Sequence, residues 1–244
     1  MEQERRTKRV AIACQGGGSH SAFTVGVLTR LLAEKLERYE IVALSGTSGG
    51  AICALLVWSA LLRTDLSVEA SRMQGSVTTP LVTPYLYPEW GKEALKELLE
   101  GVVDFGEIRR LVTGSSPKLL VGAVEVRSGE FEVFRDAEVT AEKVLASCAL
   151  PMMFRAVRIG DDEVYWDGLF SQNPPIRDFM REFPDADTKP DEIWLIQINP
   201  HRHSPKLAEI MFRELYPYGV PQRPHDPSML PMSAESSHLG GPAY

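Results

Sequence analysis

The sequence predicts an α/β fold in which helices flank a central, mostly parallel sheet. Three observations lead to this prediction. A short apolar run, a glycine-rich turn and an apolar helical stretch follow one another twice near the start of the chain. Strand and helix patterns then continue to alternate, as they do in proteins with parallel sheets. Finally, 244 residues with 44% hydrophobic and 24% charged residues fit a single folded domain of ordinary size.

The first strand, turn and helix unit contains a glycine loop. The apolar run 9–13 stops at Gly16-Gly17-Gly18, and apolar residues then recur at helical spacing over 22–38. A run of unhindered N–H groups before a helix is suited to hold an anion. Both a nucleotide phosphate and the oxyanion of an acyl-transfer intermediate fit this description. The phosphate is the weaker interpretation, because the G-x-G-x-x-G pattern breaks at Ser21 and no Walker-type lysine follows.

The second unit contains a candidate nucleophile. A predicted strand at 41–44 leads into Gly46-Thr47-Ser48-Gly49-Gly50 and a predicted helix at 51–62. This is the G-x-S-x-G pattern between a strand and a helix, the context in which it forms a nucleophile elbow. Gly46, Gly49 and Gly50 allow a tight turn and leave room for a substrate carbonyl, so Ser48 is the candidate nucleophile. The alternative is a structural turn in which this serine only caps the helix.

The rest of the chain continues the same alternation. A stretch rich in Thr, Pro and aromatic residues at 76–90 predicts a surface loop. Later predicted elements are helices at 92–100 and 105–111, a hairpin of strands 118–126 and 131–134, a helix at 140–147, two short strands around Asp161-Asp162, a strand at 192–198 and an amphipathic helix at 207–215. Beyond Tyr216, a Pro-, Ser- and Gly-rich composition indicates a poorly ordered tail.

Two kinds of general base are available to the serine. Asp167 follows a short predicted strand and precedes Gly168, which places its carboxylate at a sheet end, although an Asp-Gly pair is also a common turn. His201 and His203 follow the last predicted strand and give the chain order Ser, Asp, His of α/β-hydrolases. His20 lies beside the glycine loop, where it is better placed to orient that loop than to accept a proton.

These motifs resemble the signature blocks of the patatin-like phospholipases. The similar blocks are Gln15-Gly16-Gly17-Gly18-Ser19-His20, Gly46-Thr47-Ser48-Gly49-Gly50-Ala51 and Asp167-Gly168, with Ala146-Ser147-Cys148-Ala149-Leu150-Pro151 and Asn173-Pro174 alongside. The resemblance extends over residues 9–200. It implies a Ser-Asp dyad in which Ser48 attacks an acyl ester and Asp167 is the base. It also implies that Gly16, Gly17 and Gly18 form the oxyanion hole, and that no metal or organic cofactor is needed.

Three residues depart from the family pattern. Ser21 replaces a common glycine, His20 stands where Arg or Lys is frequent, and Leu169 replaces Gly or Ala after the Asp-Gly pair. A catalytically silent lipid-binding or interaction protein is therefore one alternative to an active hydrolase. A Ser-His-Asp carboxylesterase that uses His201 or His203 is another.

Composition and charge limit the partners. The formal net charge of −7 argues against nucleic acid and against electrostatic recruitment to anionic membranes. The expected partner is an acyl lipid or ester, and its hydrolysis would place the protein in lipid catabolism. Contact with a membrane would be peripheral and apolar, through Tyr85, Tyr87 and Trp90. Neither a signal peptide nor a transmembrane segment is evident, which predicts a cytoplasmic location.

The expected organisation has three parts. These are a charged leader over residues 1–8, a patatin-like catalytic domain over 9–200, and a C-terminal helix with a Pro-rich tail over 201–244. The three cysteines, Cys14, Cys53 and Cys148, lie in apolar stretches without metal-ligand spacing, which predicts buried, reduced thiols.

Overall fold

The computed structural model describes residues 7–33, 38–63, 88–151 and 153–198, all of them within one compact unit, Met1–Asn199. His201, His203, Tyr85, Tyr87 and the helix predicted at 207–215 lie outside the described residues, as does the side chain of Trp90. The boundaries expected for the leader and for the C-terminal part therefore stay predictions.

Strands and helices alternate along the described chain, as the sequence predicts. The strands are β1 (Lys8–Cys14), β2 (Tyr39–Thr47), β3 (Lys118–Glu125), β4 (Phe131–Arg135), β5 (Val157–Ile159), β6 (Glu163–Asp167) and β7 (Glu192–Ile196). The helices are α1 (Ser21–Ala33), α2 (Gly49–Arg63), α3 (Pro88–Val102), α4 (Phe105–Leu111), α5 (Ala141–Ser147) and α6 (Phe179–Glu182). Short 3-10 turns at Gly18–His20 and Gly168–Phe170 follow β1 and β6.

The strands form one seven-stranded sheet that is parallel on one side and antiparallel on the other. Strands β7, β1, β2 and β3 pair in parallel, whereas β4 and β6 both run antiparallel to β3, and β5 pairs antiparallel to β6. Five of the seven strands therefore point the same way, which confirms the predicted mostly parallel α/β sheet.

The central position of α2 explains why its sequence is apolar all round. Every residue from Gly49 to Ala60 is buried. This helix packs on the sheet in the larger core cluster, together with residues of α1, α3, α4 and α5. The opposite face of the sheet carries a smaller cluster, in which Phe179 and Phe183 cover Ala11, Ala13 and their neighbours. A helix buried on all sides is typical of the interior of an α/β protein.

Two of the boundaries that differ from the sequence prediction have a clear physical reason. Strand β2 continues to Thr47 instead of ending at residue 44, because it lies between β1 and β3 and its backbone pairs on both sides. Helix α3 begins at Pro88, inside the stretch predicted as a loop, since proline suits the first turn of a helix, where its missing N–H is not needed.

None of the helices in the described ranges is long and apolar enough to cross a membrane.

Candidate active site

Strands β2 and β6 meet end to end along one edge of β3. Strand β4 pairs with residues 120–124 of β3 and so occupies the other edge. On the shared edge, Thr47 at the end of β2 pairs with Gly122, and Asp167 at the end of β6 pairs with Ala123. Because β2 and β6 run in opposite directions, both end at this point. The fold therefore brings together Ser48, which follows Thr47, and Asp167.

The backbone of Ser48 adopts a left-handed conformation, with a φ of 56°. Such a φ is uncommon for a residue with a side chain and indicates a tight turn that neighbouring contacts must hold in place. The carbonyl of Ser48 accepts hydrogen bonds from the N–H groups of Ala51 and Ile52, at 2.9 and 3.3 Å. The serine therefore sits at the N-terminus of α2, where the helix dipole favours developing negative charge.

The Ser48 hydroxyl lies near the Asp167 carboxylate and acts to lower its pKa. Burial raises the pKa of Asp167 to about 6, against the opposing effect of the Ser48 hydroxyl and of a hydrogen bond from the N–H of Leu169. A carboxylate with such a pKa is ionised at neutral pH yet basic enough to accept a proton from a hydroxyl. The site thus places a serine hydroxyl beside a buried carboxylate.

Two backbone contacts orient Asp167. Its N–H donates to the carbonyl of Ala149 at 3.0 Å, and its Oδ1 accepts the N–H of Leu169 at 2.9 Å. Leu169 therefore contributes its backbone to the site, whatever the size of its side chain. Gly168 packs closely, since a Cβ there would lie 2.9 Å from the carbonyl oxygen of Gly122.

The two glycine turns contact each other through backbone atoms. A Cβ on Gly16 would lie 2.1 Å from the carbonyl oxygen of Thr47, and one on Gly50 would lie 2.2 Å from that of Cys14. Gly46 is equally tight, with a Cβ position 2.3 Å from the carbonyl oxygen of Gly50. Side chains at Gly16 or Gly50 would separate the two turns, and one at Gly46 would open the serine turn itself, so the glycines permit the close approach of the loop to the serine.

The three glycines of the loop are not equivalent. The N–H of Gly16 donates to Oδ1 of Asn173 at 2.7 Å, and the Nδ2 of Asn173 donates to the carbonyl of Gly16 at 3.1 Å. Within the described residues, the N–H groups of Gly17 and Gly18 make no hydrogen bond. While the contact with Asn173 persists, the Gly16 N–H is occupied, and of the three loop glycines Gly17 and Gly18 have N–H groups free of described partners.

Two departures from the family pattern have local explanations. The Ser21 side chain is buried against the start of α2, where a Cβ on Gly49 would lie 2.4 Å from the Ser21 hydroxyl. A larger residue at position 21 is thus accommodated by a glycine at position 49. His20 is exposed and its Nδ1 lies 3.2 Å from the carbonyl of Gly17, a position that suits the loop-orienting role predicted for it.

Sequence reasoning missed three polar side chains around the serine. Ser147 is buried and its hydroxyl accepts the N–H of Ser48 at 2.9 Å. Cys148 is half-buried beside the Ser48 hydroxyl, and burial together with the charge of Asp167 raises the pKa of its thiol. The third is Asn173. Ser147, Cys148 and Asn173 lie in blocks that the family resemblance included, but their contacts depend on long-range packing.

Across residues 7–33, 38–63, 88–151 and 153–198, no cluster of three His, Cys, Asp or Glu side chains could hold a metal ion. Cys14 and Cys53 are buried free thiols, as predicted, whereas Cys148 is only half-buried.

Comparison with known proteins supports the resemblance. Residues 12–77 match the family model described as patatin-like phospholipase, which confirms the family likeness predicted from the motifs. This segment contains both glycine turns and Ser48 but ends before Asp167. Among solved structures, VipD from Legionella pneumophila is similar at 15% sequence identity and a TM-score of 0.45. The match covers 78% of this chain and 49% of the VipD chain, so the chain spans about half of that protein. No curated protein matches the sequence.

Proposed function

We propose that this protein is a serine hydrolase that cleaves acyl esters of lipids, with Ser48 as nucleophile and Asp167 as general base. The observation that supports it best is the position of Ser48, held in a left-handed backbone conformation, next to a buried carboxylate with a pKa raised to about 6. The match of residues 12–77 to the patatin-like phospholipases supports the same class of reaction.

The first half-reaction would form an acyl-enzyme. The Ser48 hydroxyl oxygen attacks the ester carbonyl carbon while its proton passes to the Asp167 carboxylate. The carbonyl oxygen becomes an oxyanion, and the N–H groups of Gly17 and Gly18 are the donors proposed to stabilise it. The bond to the alcohol then breaks, and the alcohol leaves with the proton held by Asp167.

The second half-reaction would release the fatty acid. Water attacks the acyl-Ser48 carbonyl carbon and gives its proton to Asp167, and the bond to the serine oxygen breaks as that proton returns to Ser48. The step consumes one water and restores both residues. All of its groups belong to this chain, the substrate or water, and no cofactor takes part.

The test is covalent labelling by a fluorophosphonate, followed by intact mass measurement and peptide mapping. We expect one adduct on Ser48 and none in Ser48→Ala. The Asp167→Asn variant should label and hydrolyse a soluble ester about 10²- to 10⁴-fold more slowly, because it lacks the base. Matched controls are Ser115→Ala, which removes an exposed serine in a turn, and Asp162→Asn, which removes an exposed aspartate five residues before Asp167.

Other outcomes would favour the alternatives. A wild-type protein that neither labels nor hydrolyses any acyl ester would contradict the proposal and favour a silent lipid-binding protein. If replacing both His201 and His203 by Ala abolished labelling in a folded protein, the base would be a histidine, as in a Ser-His-Asp carboxylesterase. Unchanged labelling in that variant would support the Ser-Asp pair.

A further inference from the structure

The Ser147 hydroxyl makes two hydrogen bonds, each to a backbone group of a different strand end or turn in the site. Ser147 is the last residue of α5 and is completely buried. Its hydroxyl accepts the N–H of Ser48 at 2.9 Å and donates to the carbonyl of Gly122 at 2.6 Å. One oxygen atom therefore joins the backbone of the candidate nucleophile to the backbone of β3.

This bridge lies where the sheet changes its pairing. Gly122 is the last residue of β3 that pairs with β2, and Ala123 is the first that pairs with β6. Beyond Thr47 the chain turns into the left-handed conformation of Ser48 and leaves the ladder. The Ser48 N–H and the Gly122 carbonyl then need other partners, because buried backbone groups without hydrogen bonds are costly. The Ser147 hydroxyl satisfies both.

We infer that Ser147 is a positioning residue for the nucleophile. It holds the backbone of Ser48 in the left-handed conformation that directs the hydroxyl at Asp167. This inference rests on the proposed function for its catalytic consequence, although the hydrogen bond itself is a property of the fold. Ser147 has no contact with a substrate in this role, and it acts through Ser48 alone.

The comparison that tests this role uses three variants. Ser147→Ala removes the bridge with little change in volume. Ser147→Cys keeps a group of similar size with weaker hydrogen bonding. Ser59→Ala is the matched control, since Ser59 is equally buried in α2 and its hydroxyl donates only to Leu56 of the same helix, at 2.9 Å.

We expect Ser147→Ala to lower kcat and the fluorophosphonate labelling rate by about 10- to 100-fold, as misplaced reacting groups do, with KM nearly unchanged. Ser147→Cys should give an intermediate rate and Ser59→Ala the wild-type rate. Amide hydrogen exchange at Ser48, measured by NMR, should become about tenfold faster in Ser147→Ala and stay unchanged in Ser59→Ala. Urea unfolding should show a larger stability loss for Ser147→Ala, which leaves two backbone groups without a partner, than for Ser59→Ala.

The outcomes separate this inference from the proposed function. A folded Ser147→Ala protein that labels at the wild-type rate, or whose Ser48 amide exchanges as slowly as wild type, would overturn the inference. If the wild-type protein is inert toward esters and the probe, the proposed function fails, while the exchange rate at Ser48 still decides whether Ser147 holds it. If Ser147→Ala does not fold, the same test uses Ser147→Cys: labelling and Ser48 exchange at the wild-type rates in that variant would overturn the inference.

Discussion

Two regions contribute to the candidate site by different means. Residues 12–63 supply mainly backbone: two glycine turns that touch each other, and a serine at the start of a helix. Residues 118–173 supply mainly side chains: Asp167 toward the serine hydroxyl, Ser147 toward its N–H, and Asn173 toward the glycine loop. Glycine turns have no side chains that could bond their own backbone polar groups, so side chains of the second region hold the first in place.

The largest effect is expected where the backbone contact of the first region is broken. A Cβ on Gly50 would lie 2.2 Å from the carbonyl oxygen of Cys14, and neither backbone segment can move freely because both belong to buried elements. Gly50→Ala should lower the free energy of unfolding by at least about 3 kcal/mol, measured by urea denaturation. Wild-type stability in this variant would contradict the close packing of the turns.

The control for that substitution is another glycine in a helix. Nothing lies within 4 Å of a Cβ on Gly26 in α1, so Gly26→Ala should raise stability by about 0.5 to 1 kcal/mol through helix propensity. Opposite signs at the two glycines would show that the contact, and not glycine itself, limits Gly50.

The second-largest effect is expected from Asp167, a side chain of the second region. Because burial raises the native pKa of Asp167 from 3.8 to about 6, the folded protein binds this proton more tightly than the unfolded chain does. This contribution to stability is complete below about pH 4 and is lost as pH rises through about 6. Asp167→Asn should therefore be more stable than wild type by about 3 kcal/mol at pH 8, with little difference at pH 4.

Urea unfolding at pH 4, 6 and 8 checks this dependence, with the exposed Asp162→Asn as the control that should show none. The rate of ester hydrolysis should move the opposite way, rising with pH to a plateau above about 6, as the carboxylate becomes able to accept a proton. A flat stability difference across this range would mean that Asp167 titrates like an exposed carboxyl.

The smallest effect concerns the link between the regions. Asn173→Ala removes both hydrogen bonds to Gly16 and should cost about 1 to 3 kcal/mol of stability. It should also lower kcat about tenfold, since the loop that offers the Gly17 and Gly18 donors loses its anchor. Steady-state kinetics with a soluble ester and urea unfolding measure the two quantities.

Gln172→Ala is the matched control for this link. Its side chain makes no hydrogen bond to any described residue, while its backbone carbonyl, which accepts the Thr47 hydroxyl at 2.8 Å, is retained. If Gln172→Ala lowers kcat as much as Asn173→Ala, the effect belongs to the whole segment and not to the amide that holds Gly16.

The first region could be predicted from the sequence more fully than the contacts of the second region. The alternating elements, both glycine turns and the position of Ser48 follow from local patterns, because a strand, a tight turn and a helix are each coded within a few residues. The contacts of Ser147 and Asn173 do not follow from local patterns, because they depend on which edge of β3 is shared by β2 and β6. The extension of β2 to Thr47 was missed for the same reason, as pairing on both sides outweighs the local preference for a turn at Ser45-Gly46.

The shared edge of β3 has one more consequence, which concerns tolerance to insertions. The ends of β2 and β6 are registered to adjacent residues, Gly122 and Ala123, so the spacing of Ser48 and Asp167 follows from one backbone repeat of about 3.3 Å. Extra residues in the exposed hairpin turn at Arg127–Gly129 would leave that spacing intact. One extra residue between Gly122 and Ala123 would shift β6 relative to β2 and turn its side chains to the opposite face. Homologous chains can therefore differ in the length of their turns while this short piece of strand keeps a fixed length.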